Sequence, residues 1–126
     1  MAHRTYLIRD AGSCVEGIRL EEKHNSLELA KALNQHYVTQ EALDALFRGT
    51  IRTFSTNPQE IVFQSNKVVA TESINEAMDH DYACLFDVMI IFKKGKWTAY
   101  RSLGGFRGYG ELNEQGLTNQ EKYREA

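Results

Sequence analysis

The chain has 126 residues and a mass of 14.4 kDa, with 15 lysines and arginines against 17 acidic residues and a formal charge of -2. One proline, nine glycines and 42% hydrophobic residues exclude a collagen-like or disordered composition, and the length suits a single domain with one core. Near-balanced charge removes the bulk electrostatic argument for a nucleic-acid or anionic-membrane binder, so neither nucleic acid nor membrane is an expected partner.

The first ten residues hold only the short apolar run Tyr6-Leu7-Ile8, whereas a leader peptide needs roughly 7–15 apolar residues. The longest apolar run, Val88-Met89-Ile90-Ile91-Phe92, falls well short of the ~20 residues of a spanning helix. The expectation is a cytoplasmic protein. Cys14 and Cys84 stand far apart with no CxxC, which suits two free thiols packed as small hydrophobes.

In chain order, Thr5 to Arg9 alternates around Tyr6 and Ile8, and Val15 to Leu20 is a second apolar stretch. Asp10-Ala11-Gly12-Ser13 supplies turn residues between them, and together they predict a β-hairpin. Asn25 or Ser26 can cap a helix carrying the stripe Leu29, Ala30, Leu33 and Tyr37. Thr39 caps a second helical stretch with Leu43, Leu46 and Phe47, and Gly49 is expected to stop it in a left-handed conformation. Short strands are predicted near Ile51, at 60–63 and at 67–71, the last two joined as a hairpin by Gln64-Ser65-Asn66. Ser73-Ile74-Asn75-Glu76 is a capping box that predicts a short helix to about Asp79.

The segment from Cys84 to Leu103 reads as the central hairpin. Its first arm is apolar at nearly every position, which implies cover on both faces, and Lys93-Lys94-Gly95-Lys96 turns the chain into Trp97–Leu103. A glycine-rich stretch, 104–110, leads into a polar tail from about residue 111 that is predicted helical over 118–124. The element order is ββ-αα-βββ-α-ββ. It predicts an α+β domain spanning residues 1–126, with a mostly antiparallel sheet and helices packed on one face.

Five places could carry chemistry. Asp87 interrupts the most apolar strand, so its carboxylate must find a donor or face a cavity. Arg101 on the returning arm is the natural partner if the turn carries a one-residue bulge; a strict two-residue turn puts the two on opposite faces. A structural ion pair outranks a general base in a cleft. His80, between Asp79 and Asp81, could assist such a base, but a solvated helix end outranks it, and no second His or Cys stands at a metal-ligand spacing. Neither a metal nor a cofactor is expected.

Phe106, Arg107 and Tyr109 among glycines, together with Arg101, suit an anionic or aromatic ligand; a surface loop is the plainer reading, since no dinucleotide, P-loop or RNP1 pattern is present. Lys93, Lys94 and Lys96 crowd one turn, where solvation outranks anion recognition. Trp97 fits the core or, with Tyr100, a homodimer interface of more than ~1,000 Å².

In size and lack of catalytic motifs, the chain resembles the small accessory proteins of mobile genetic elements. The first expectation is a non-enzymatic binding or inhibitor protein, homodimeric because one sheet with few helices leaves a face short of cover. A small-ligand or nucleotide pocket at Arg101, Phe106, Arg107 and Tyr109 comes second. A small enzyme using Asp87 and His80 comes third.

Overall fold

The fold is that of a computed structural model that describes residues 2–79, 88–102, 109–113 and 116–117. Strand β1 (Ala2–Asp10) pairs antiparallel with β2 (Val15–Asn25), as expected. The turn between them closes through Gly12 N donating to Asp10 Oδ1 (2.9 Å) and Ala11 N donating to the Cys14 carbonyl (2.9 Å). Gly12 has φ +91°, a conformation that a side chain would disfavour.

Helix α1 (Ser26–His36) is capped by Asn25, whose Oδ1 accepts from the backbone N–H of Leu27 and of Glu28, both at 3.1 Å. Leu29, Ala30 and Leu33, with Tyr37 just beyond the last turn, bury its apolar stripe. Thr39 caps α2 (Gln40–Leu46), with its Oγ1 accepting from Ala42 N. Beyond α2, Gly49 does not act as a left-handed stop. Its backbone is close to extended, and a Cβ there would run into the backbone of Ser65 and Asn66, so glycine is required by close chain approach.

Three short strands follow: β3 (Ile51–Thr53), β4 (Val62–Phe63) and β5 (Val69–Thr71), with a 3-10 turn at Pro58–Glu60 before β4. The expected hairpin between the last two does not form. β4 pairs with β3, and β5 pairs with β2. Helix α3 (Ile74–Asp79) starts as the capping box predicts, with Ser73 Oγ accepting from Glu76 N (3.1 Å). The Glu76 carboxylate reaches back one residue further than expected, to Glu72 N (3.1 Å).

Strands β6 (Val88–Lys93) and β7 (Lys96–Ser102) form the expected hairpin, and β8 (Tyr109–Asn113) and β9 (Gly116–Leu117) complete the strands. The start of the expected polar tail is therefore sheet, and the predicted helix at 118–124 lies outside the described residues. The sheet runs β4-β3-β2-β1-β6-β7-β8-β9, with β5 also on β2. It is mixed, which corrects the mostly antiparallel expectation: β1 runs parallel to β6, and β2 parallel to β3. The helical pair α1–α2 carries the chain back to the middle of β2, where Ile51 pairs with Leu20, and β3 runs the same way as β2.

The core has two parts, one on each face of β1 and β6. Leu7, Ile18, Leu20, Val88, Ile90, Trp97 and Ala99 meet the stripes of α1 and α2 on one face. Tyr6, Ile8, Val15, Met89 and Ile91 meet Ile74, Ala77 and Met78 of α3 on the other. The helices thus flank the sheet on both faces, correcting the one-face expectation. β1 is also covered on both sides, with Tyr6, Leu7 and Ile8 all fully buried. The Tyr6 ring lies across Gly17 of β2, where a Cβ would stand only 2.6 Å from Tyr6 Cε2.

Candidate functional site

Trp97 organises the face under α1. Its indole is buried (1% exposed), and its Nε1 donates to the Tyr37 carbonyl at 2.8 Å. The ring stacks near-parallel on Phe47 and meets Phe92 at a tilt. The backbone of Trp97 is held by one side chain: its N–H donates to Asn34 Oδ1 (2.8 Å), and Asn34 Nδ2 donates back to its carbonyl (3.0 Å). The Asn34 carboxamide thereby takes the place of a neighbouring strand at that point of β7 and ties α1 to it.

Beside this clamp lies a cleft of about 380 Å³ between α1 and β7–β8. Leu27, Ala30, Ala99 and Leu112 give it apolar walls, while Glu28 and Lys31 on the helix and Lys96 and Glu111 on the sheet supply charges of both signs. Leu27 is half-buried but lies outside the core clusters, so its exposed part belongs to the cleft. No motif marks this site in the sequence. Its residues come from three elements, and only the fold joins them.

The residues expected to form a site are placed as follows. The β6–β7 turn is the strict two-residue form, without a bulge, and pairs Arg101 with Val88; Arg101 is exposed. Asp87, His80, Phe106 and Arg107 lie outside the described residues, as does Cys84. Tyr109 belongs to β8 and pairs with Ser102. Trp97 and Tyr100 point to opposite faces of β7. The Trp97 ring is buried in the α1–α2 side of the core, and Tyr100 packs half-buried against the α3 side.

Sequence reading missed two polar clusters. Arg9, 7% exposed, bonds Glu16 through Nε (2.7 Å) and Asp44 through Nη1 (2.9 Å), and its guanidinium lies 4.9 Å from the Phe47 ring centroid. This network ties the β1–β2 hairpin to α2. His24 Nε2 stands 2.6 Å from Glu22 Oε1, which also accepts from Phe54 N (3.2 Å), and the imidazole meets Phe54 edge-on. Tyr37 Oη donates to the Ser55 carbonyl, and burial pushes its phenol from 10.0 up to about 12. The bonds of Arg9 to Asp44, Glu22 to Phe54 and Tyr37 to Ser55 are long-range in sequence, and no spacing rule announces them. Cys14 is a free thiol, as expected.

Among the described residues, no group of three or more His, Cys, Asp or Glu side chains could hold a metal, and no helix is long and apolar enough to cross a membrane. Comparisons with protein-family models, curated proteins and solved structures give no match to this chain.

Proposed function

We propose that the chain is a binding protein whose ligand is a small amphipathic molecule held in the α1–β7–β8 cleft. The observation that carries this reading is the cleft itself: apolar walls, a rim bearing both charge signs, and a volume at the lower end of the ~300–1,000 Å³ of ligand sites. Binding suits the described polar groups better than catalysis does. Asn34 is engaged with Trp97, Arg9 with Glu16 and Asp44, and His24 with Glu22, so each serves as a structural tie. An apolar body would rest on Leu27, Ala30 and Leu112, with polar ends of the ligand facing Lys31, Lys96, Glu28 and Glu111.

Leu27→Glu tests the reading. Position 27 lies in the first turn of α1, where a carboxylate favours the helix dipole, so the variant is expected to fold. Fluorescence of an anilinonaphthalene sulfonate probe should rise saturably with the native protein, at one site, and the rise should be lost in Leu27→Glu. Absence of saturable binding, or equal binding by the variant, would contradict the proposal.

A further inference from the structure

Resting on the α1–β7–β8 cleft being a ligand site, we propose that its occupant is a short peptide with free termini and an apolar side chain, lying extended along the outer edge of β7. Four consecutive residues of β7, Lys96, Trp97, Thr98 and Ala99, line the cleft. Successive side chains of a strand point to opposite faces, so an unbroken run of lining residues means that the strand meets the cleft with its backbone edge. β8 pairs with β7 only from Tyr100 to Ser102, and its next residues, Leu112 and Asn113, pair with β9. Among the described residues, no strand lies outside Lys96–Ala99. The edge is open where the cleft is.

That edge already holds one amide. Asn34 Oδ1 accepts from the Trp97 N–H, and Asn34 Nδ2 donates to the Trp97 carbonyl, the two bonds that a neighbouring strand would make there. Alternate residues of a strand turn their backbone groups to the same side, so the Ala99 N–H also faces outward, and Ala99 lines the cleft. A peptide carbonyl can accept from it, while Leu27, Ala30 and Leu112 receive an apolar side chain. The rim charges have a matching separation. Lys96 adjoins Trp97, which Asn34 holds, whereas Glu28 lies about 9 Å back along α1 at 1.5 Å per residue. Both are exposed, and among the described residues neither enters an ion pair. An extended chain advances ~3.4 Å per residue, so three residues span about 10 Å and bring an ammonium group to Glu28 and a carboxylate to Lys96. The peptide then runs antiparallel to β7, the sense of β8. A longer strand would meet the Asn34 side chain at Trp97.

The test is calorimetric titration of the full chain, at low ionic strength, with the tripeptide Ala-Leu-Ala, its acetylated and amidated form, and octylamine. Displacement of the anilinonaphthalene sulfonate probe is followed in parallel. The free tripeptide should bind saturably at one site and displace the probe, with the blocked form about tenfold weaker, the scale of one lost charged hydrogen bond. Glu28→Gln should weaken the free tripeptide about tenfold and leave the blocked form unchanged. In NMR spectra the Ala99 amide proton should move downfield with the tripeptide and stay still with octylamine. The proposal is overturned if the tripeptide does not saturate, if it binds without displacing the probe, if the blocked form or octylamine binds as tightly, or if the Ala99 amide does not move. Saturable binding of the probe without binding of the tripeptide removes the peptide and leaves the cleft as a ligand site, whereas loss of both removes the site itself.

Discussion

The two faces of the sheet are built differently. The α1–α2 face joins a large aromatic and aliphatic cluster with directional ties: the Asn34 clamp on Trp97, the Trp97 indole on the Tyr37 carbonyl, and Arg9 on Asp44. The α3 face relies on a six-residue helix and a smaller cluster, and its cover leaves Thr98 and Tyr100 beside a basic turn. One face is locked and carries a cleft along its margin. Among the described residues, the other is closed more lightly, by α3. The difference shows that a single strand, β7, serves a structural role through Trp97 and Ala99 and a surface role through Thr98 and Tyr100.

Substitutions on each face can break this comparison. Trp97→Ala should be the most damaging, costing about 3–5 kcal/mol in denaturant unfolding, because a large buried ring and an indole hydrogen bond go together. Met78→Ala on the α3 face should cost about 2–3 kcal/mol, since a marginal helix leaves more room for collapse around the cavity. A larger loss for Met78→Ala than for Trp97→Ala would reverse the ranking of the faces.

Asn34→Ala should cost about 1–3 kcal/mol by leaving the Trp97 N–H and carbonyl without the carboxamide, with the lower end expected if water from the cleft replaces it. The smallest effect is alkaline. The Tyr37 phenol has a higher pKa folded than unfolded, so the folded chain holds the proton more tightly; its contribution is complete below about pH 10 and is lost as pH rises toward 12. Spectrophotometric titration should show a late tyrosine step, and Tyr37→Phe should remove it. Ionisation of all tyrosines together near pH 10 in the folded protein would sink this point.

Much of the local structure was legible in the sequence. The order of strands and helices as far as β7, the caps at Asn25 and Thr39, the Ser73 box and the β6–β7 hairpin follow from short-range chemistry: side-chain oxygens near free N–H groups, and apolar periodicity. Strand partnership was not legible. The segments 60–63 and 67–71 look like a hairpin because a turn joins them, yet each gains more by pairing with β3 or β2. β1 resembles a half-exposed strand until Thr5, Leu7 and Arg9 prove buried too, with Arg9 tolerated there because Glu16 and Asp44 compensate its charge.

The cleft was invisible for the same reason. Leu27, Ala30, Lys96 and Leu112 carry no spacing, and Asn34 looks like any polar residue on a helix.

The most direct test of the binding account is an NMR titration of the folded chain with the anilinonaphthalene sulfonate probe, following the Asn34 side-chain amide and the backbone amides of Leu27, Lys31 and Trp97. The account predicts that these resonances shift together and saturate while those of Ile74 and Met78 stay still. Shifts confined to the α3 face, or none at saturating probe, would contradict it.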